Sequence, residues 1–371
     1  MTGGHAPQAG AISPPGRGAG VTRALAVVAI ASIFLGLLLR LVPVIAGQPA
    51  LSELFITEDG YLMLTVARNI AIGAGMSVSD GTIPTNGVQP LATFLFAIPY
   101  ALAGGDKVAS LVGVHLIAAG AVVGGAVVLR SFAARVLAPL GAEPAWAWTC
   151  VAFWVCSPLL LGHSMNGLET GLYTFVLLAT LLQFWHVLAR GAEAGQGAAL
   201  ALGALCGLTF LARNDGVFVV VAIFVIWGLH ALFAQRRGLS GAVRLTVPAG
   251  LVSLAIVLPW LLNNQLRFGS IVPVSGTAQA VDVPFGVNAP LLPAKLAEYL
   301  FPMAPIPHGL ETSMPVIVVA SASLFGILGW FLLRVMRSGA PIRWVVLAYT
   351  VHGVALACYY GLFFGVPHFL S

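Results

Sequence analysis

Apolar residues fall in long runs along this chain, separated by short polar breaks. The runs lie near 24–46, 88–104, 108–129, 145–162, 168–188, 198–212, 216–234, 245–262, 314–333 and 344–366. A helix needs about 20 apolar residues to cross a bilayer, and most of these runs approach that length. The run 88–104, VQPLATFLFAIPYALAG, is short and carries Pro90 and Pro99. Segment 60–72 shows a different pattern. Leu62, Val66 and Ile70 recur at i, i+4 and i+8, while Thr65, Arg68 and Asn69 fall on the other face. This spacing predicts a short interfacial helix, its apolar stripe resting on the bilayer and Asp59 at its N-terminus. There Asp59 is expected to cap the helix or to act as a general base, and one placement serves both.

Charge decides which runs cross. If 88–104 does not span and the N-terminus is cytoplasmic, eleven of the seventeen Lys and Arg residues fall inside. They are Arg17, Arg23, Arg130, Arg135, Arg190, Arg236, Arg237, Arg244, Arg334, Arg337 and Arg343. If 88–104 did span, the nine from Arg130 onward would move outside, against the positive-inside preference. The expectation is therefore an all-α polytopic membrane protein of about nine spans, with juxtamembrane helices at 60–72 and 88–104. Ten of the twelve acids then lie outside, with only Glu143 and Glu193 inside. That distribution points to an external polar site. The expected organisation is a disordered cytoplasmic tail (1–22) and a transmembrane module (23–262) containing external loop 47–107. An external loop (263–313) and two C-terminal spans (314–371) follow. Loops this long are often functional.

Composition agrees. The 371 residues are 59% hydrophobic and 8% charged, with mean hydropathy +0.98, whereas soluble domains carry about 25% charged residues. The net charge of +5 is spread between apolar runs and does not suggest a nucleic-acid partner. Cys150, Cys156, Cys206 and Cys358 lie in apolar runs without a CxxC, and are expected to be buried small residues. The pairs Gly120/Gly124 and Gly203/Gly207 fit close helix packing.

Several external constellations are suited to chemistry. In SDGTIPTNGVQPL, Asn86 and Gln89 are suited to hydrogen-bonding a sugar or to holding a plain turn. In HSMNGLETGLY, Glu169 is expected about one turn inside a helix, as a dipole-favoured acid or a functional one. In FLARNDGVF, Arg213 runs against the positive-inside trend, and its planar fork suits a phosphate. The alternative is an ion pair from Arg213 to Asp215 or Glu169. Lys107, Arg267, Lys295 and His368 are further external cations. There is no Walker A, GxGxxG after a strand, GxSxG, HExxH or Cys/His metal spacing. Any reaction must therefore draw on an activated substrate.

TEDGYLMLTVARNIAIGAG together with PTNGVQPL resembles the first external loop of the GT-C glycosyltransferases, the polyprenyl-phosphate-sugar-dependent membrane enzymes. These include protein mannosyltransferases, aminoarabinose transferases and arabinofuranosyltransferases. The matching residues are Glu58-Asp59, Tyr61, Ala67-Arg68-Asn69, Gly73, Gly75 and Gly87-x-x-Pro90-Leu91. NGLETGLY, LARNDG and PWLLNNQLRFGSIVPVS resemble later family segments, so the likeness covers most of 24–275. It implies an inverting transfer, on the external face of the plasma membrane, from a polyprenyl-phosphate sugar to a lipid, glycan or protein hydroxyl. Asp59 would be the base and Glu58 its helper. Arg213, then Arg68, would bind the donor phosphate. Asn86, Gln89, Glu169 and Asp215 would bind substrate. No cofactor is obligatory, and Glu58 and Glu169 would hold a divalent ion in those relatives that use one. The acid pair departs from the family in beginning with Glu. Relatives also continue where this chain ends at GVPHFLS, which implies a fragment, a short member or an inactive one. A lipid-linked-sugar flippase is the other reading, but it expects inverted repeats and mid-membrane acids.

Overall fold

A computed structural model describes residues 17–191, 195–278, 283–300, 306–307 and 309–364. Most of the tail expected over 1–22, and Glu193, Asp282 and His368, lie outside the described residues. The chain begins with α1 (Arg17–Ala46) and α2 (Ala50–Glu53). α3 (Glu58–Ala71) and α4 (Pro90–Leu102) follow, then α5 (Ala109–Leu137). Next come α6 (Ala145–Cys156), α7 (Pro158–Met165), α8 (Thr170–Arg190) and α9 (Gly195–Ala212). α10 (Val217–Leu229), α11 (Gly238–Phe268), α12 (Val274–Ala278) and α13 (Leu292–Leu300) precede the last three helices. Those are α14 (Met314–Ser323), α15 (Gly329–Arg337) and α16 (Ile342–Phe363). Among the described residues no strand forms, and one isolated bridge pairs Ser77 with Pro84.

Eight helices are long and apolar enough to cross a membrane, and α6 with α7 makes a ninth if that bent pair is one span. The chain is an all-α, multi-pass membrane protein. The expected span 145–162 is broken at Ser157-Pro158 with a 62° bend. Pro158 has no N–H to continue the ladder, and the last carbonyls of α6 need other donors. Arg40 supplies one from inside α1. Its Nη1 donates to Val155 O and Gly36 O, each at 2.8 Å, and its Nε to Ser164 Oγ at 3.2 Å. This partnering explains an arginine buried in the first span.

α9 packs on α11 because glycine lets their backbones touch. A Cβ on Gly203 would stand 2.1 Å from Ala249 O, and one on Gly207 would stand 2.9 Å from Ile256. Gly124 meets the Phe175 ring, whereas a Cβ on Gly120 would meet open space. The main core joins α8, α9, α10, α11, α15 and α16 around Phe184, Leu202, Ile223 and Trp227. The cysteine expectation is corrected. Cys206 is buried, but Cys150 and Cys358 are exposed on the apolar outside of the bundle, and all four are free thiols.

A second core joins α3, α4, α5 and Trp260 of α11. It corrects the stripe read from the sequence. Val66 is fully buried beside Met63, Leu64 and Ala67, Ile70 is half-buried, and only Leu62 is exposed. The 3.6-residue period was right, but the face that seemed free for the bilayer is taken by α4 and by turn 166–169. The exposed apolar stripe is on α4 instead: Phe94, Ile98 and Leu102, spaced i, i+4, i+8.

Tertiary contacts bring α3, α4, turn 166–169, turn 213–216 and the segments after α11 to one end of the bundle. Asn86 Oδ1 accepts from Val274 N at 3.0 Å. Gly286 N donates to Leu362 O at 2.9 Å. In the segment after α11, Lys295 Nζ lies 2.8 Å from Glu311 and 3.6 Å from Glu298, all three residues being buried. Lys295 is thereby spent on carboxylates.

Candidate active site at the acid-rich end of the bundle

α3 begins where Thr57, in extended conformation, caps it. Thr57 Oγ1 accepts from Gly60 N at 3.2 Å. The capping role expected of Asp59 therefore falls to Thr57, and Asp59 is the second helical residue. A threonine in the extended region closes this turn directly, leaving the following acids in the first turn, where the helix dipole favours them. Glu58 and Asp59 are both exposed, and neither has an ion-pair partner among the described residues. At 100° per residue, Glu58 shares a face with Tyr61, Thr65 and Arg68, while Asp59 lies half a turn from Arg68.

From Tyr61 onward that face opens on a cavity of about 550 Å³, lined among others by Tyr61, Thr65, Arg68, Asp80, Tyr100 and Lys107, with Glu58 and Asp59 beyond its lining at the head of the helix. Ligand pockets run from about 300 to 1,000 Å³. Arg68 is half-buried and its Nε donates to Gly105 O at 2.6 Å. Gly105 holds φ +83°, and a Cβ there would stand 2.5 Å from Ile72, so the turn that receives Arg68 requires glycine. The terminal guanidinium nitrogens make no hydrogen bond or ion pair with the described residues. Lys107 is exposed. Tyr61 Oη donates to Ser52 O at 2.7 Å, and burial raises its pKa. Burial pushes the Tyr100 hydroxyl up to about 12. Asp80 is the one acid among the lining residues, and the Thr82 hydroxyl and amide that hydrogen-bond it lower its pKa.

Asn69 was expected on the polar face with Arg68. It is buried, and its Nδ2 donates to Ser77 O at 2.8 Å and Ser79 O at 2.5 Å, folding loop 73–85 back over the cavity rim.

Arg213 has a different environment. Its Nε and Nη2 form a fork on Asp215 at 3.1 and 2.9 Å, and its Nη1 meets Glu169 Oε1 at 3.1 Å. The guanidinium carbon lies 5.7 Å from the Tyr173 ring centroid, and Tyr360 Oη donates to Asp215 Oδ2 at 2.6 Å. Burial alone would lower the Arg213 pKa, but the carboxylates of Asp215 and Glu169 outweigh it and hold it well above its ordinary value. Burial raises the Glu169 carboxyl, although Arg213 pulls it the other way. The phosphate role expected of Arg213 does not match this geometry. One guanidinium already faces two carboxylates, and the group carries net negative charge. Asp215 is likewise committed to Arg213 and Tyr360. Glu169 is not inside a helix as expected. It is the N-cap residue of α8, because Gly167 at φ +82° places the turn just before it.

Asn86 and Gln89, expected to meet a sugar, act as tethers. Asn86 Oδ1 holds α12, while its Nδ2 is buried without a partner among the described residues. Gln89 Oε1 accepts from Asn214 N at 3.1 Å and Asn214 Nδ2 at 3.0 Å, joining the start of α4 to turn 213–216. Tyr100 and Lys107 went unremarked or unranked in the sequence. Lys107 was visible only as one external cation among several, and Tyr100 as one aromatic in an apolar run. Among the described residues no group of three or more His, Cys, Asp or Glu side chains gathers, so that donor set does not accompany Glu58 and Asp59. No family model, curated protein or solved structure matches the chain.

Proposed function

We propose that this chain is an inverting glycosyltransferase that moves a sugar from a polyprenyl-phosphate donor to a hydroxyl of a cell-envelope acceptor at the external membrane face. The observation that carries the reading is the cavity shared by Arg68, Lys107, Tyr61 and Tyr100 on the helix that bears Glu58 and Asp59. Two cations against one acid suit an anionic head. Arg68 offers free nitrogens in a planar fork, the geometry that recognises a phosphate. The exposed stripe Phe94–Ile98–Leu102 on α4 gives the same region an apolar surface for a lipid tail.

The acid pair supplies the base. It accepts the proton of the acceptor hydroxyl as the oxygen attacks the anomeric carbon, and the phosphate leaves from the opposite side with its bonding electron pair. The growing charge on the phosphate falls to Arg68 and Lys107, which are already in place. Residue 68 is nine or ten positions from the pair, about 14–15 Å along the axis. Its long side chain leans toward the helix N-terminus and shortens that gap. Glu58 shares the helix face that lines the cavity from Tyr61 onward, and Asp59 is the base that the family resemblance implies.

The test is sugar transfer by the full chain in proteoliposomes, supplied with a synthetic polyprenyl-phosphate sugar and an extract of envelope acceptors. Transfer that is lost on Glu58→Gln or Asp59→Asn, with donor binding retained, supports the reading. Donor lipid crossing the bilayer without any glycosidic bond forming would replace it with the flippase reading.

A further inference from the structure

We infer that Arg213 is a positioning residue, acting through Glu169 to fix the acid pair Glu58–Asp59 at the head of the helix that lines the cavity. The inference takes from the preceding section only that the pair is chemically active.

The contact path has three short links. Arg213 Nη1 holds Glu169 Oε1 at 3.1 Å. Glu169 ends turn 166–169, in which Asn166 Oδ1 accepts from Leu168 N at 3.0 Å. That turn is the seat of α3. Asn166 O accepts from Thr57 N at 3.1 Å and from Thr57 Oγ1 at 3.4 Å. On the other side of the acids, Gly60 lies directly on the same turn. A Cβ there would stand 2.0 Å from Asn166 O and 3.2 Å from Gly167 Cα. Glu58 and Asp59 are the two residues between Thr57 and Gly60, so both sides of the pair are fixed to one turn, backbone against backbone.

A second arm leaves the same arginine. Its chain neighbour Asn214 donates twice to Gln89, at the start of α4, and its Oδ1 accepts from Trp260 Nε1 of α11 at 3.4 Å. α4 in turn contributes Tyr100 to the cavity. Arg213 thus stands where the supports of both cavity helices meet. Its side chain is 23% exposed and those of Glu169 and Asp215 only 7% and 11%. Removing it would leave two buried carboxylates facing each other, a strongly destabilising arrangement. Glu169→Gln is the milder change. It keeps shape and an acceptor for Nη1 but removes the charge.

The experiment is hydrogen–deuterium exchange on the full chain in lipid nanodiscs, read at amides 57–61, alongside transfer kinetics. For Glu169→Gln, exchange at 57–61 is expected to rise about five- to tenfold, the scale of turning a charge-assisted hydrogen bond into a neutral one. Transfer kcat should fall about 100-fold, as for a misplacement near 1 Å, with donor KM within about twofold. Arg213→Lys should restore part of both losses relative to Arg213→Ala, and Arg213→Ala should add little to Glu169→Gln if they act as one unit. Faster exchange confined to 212–216, with 57–61 unchanged, would overturn the inference. So would a raised donor KM at unchanged kcat, which would return Arg213 to the phosphate. If the unmodified chain transfers no sugar, the glycosyltransferase reading fails, while the exchange measurement still tests the positioning.

Discussion

Two arginines stand at the same end of this bundle with opposite surroundings. Arg68 gives one nitrogen to a backbone carbonyl and leaves the rest of its fork toward an open cavity. Arg213 has its fork closed on Asp215 and its remaining arm on Glu169. Both residues are cations beside acids in an apolar chain, and on sequence pattern alone Arg213 was the stronger phosphate candidate. The comparison shows that an arginine's availability is set by how many carboxylates the fold brings within about 4 Å. All three guanidinium nitrogens of Arg213 already contact carboxylate oxygens, and a second anion there would face their negative charge.

The comparison can be broken first at the acids. Glu58→Gln and Asp59→Asn, made singly, are expected to differ. Loss of the true base should cost about 10²–10⁴-fold in kcat, with a smaller loss for its neighbour. Equal, minor losses measured by transfer assay would separate the pair from the chemistry. Next comes Arg68→Ala, with an expected loss of about 10²–10³-fold in kcat from a missing preorganised donor, together with weaker donor binding. Arg68→Lys should recover only part, since the planar fork is gone. If Arg213→Ala weakened donor binding more than Arg68→Ala, the roles assigned to the two would be exchanged.

A backbone change sharpens the same contrast without touching charge. Gly60→Ala must move α3 off Asn166, and a shift near 1 Å is expected to cost about 100-fold in kcat. Donor binding at Arg68, about two turns further along α3, should change much less; isothermal titration with the polyprenyl-phosphate lipid measures it. The smallest effect is expected for Lys107→Ala. An exposed cation contributes about 0–1 kcal/mol, so donor KM should rise only a few-fold, and the difference should shrink in high salt.

Eight of the nine expected spans were legible as single helices, because a bilayer demands long apolar helices whatever their neighbours. The exclusion of 88–104 was legible too: α4 is a 13-residue helix, too short to cross. The break at Ser157-Pro158 was hidden, since Pro158 sits in an otherwise continuous apolar run, and Arg40, which takes up the Val155 carbonyl just before it, is 115 positions away. The face of α3 was misread for a related reason. Helical period tells which residues share a side, but only the packing of α4 and turn 166–169 tells whether that side meets protein or lipid.

The sequence by itself determined the membrane class, the order of the long apolar segments, and the clustering of acids and turns that marks one end of the bundle. These follow from local hydropathy, backbone hydrogen bonding and charge counting, which need no knowledge of neighbours. The short helices α2, α12 and α13 were not visible in the sequence. Tertiary structure alone decided which polar groups are free. Asn86, Gln89, Glu169, Arg213 and Asp215 became tethers and ion partners, while Arg68, Lys107, Tyr61 and Tyr100 came to line one cavity. The reason is distance in the chain. The Glu169–Arg213 contact spans 44 residues, Gln89–Asn214 spans 125 and Asn86–Val274 spans 188. Short-range patterns carry no record of such pairings, and each one turns a candidate ligand into part of the scaffold.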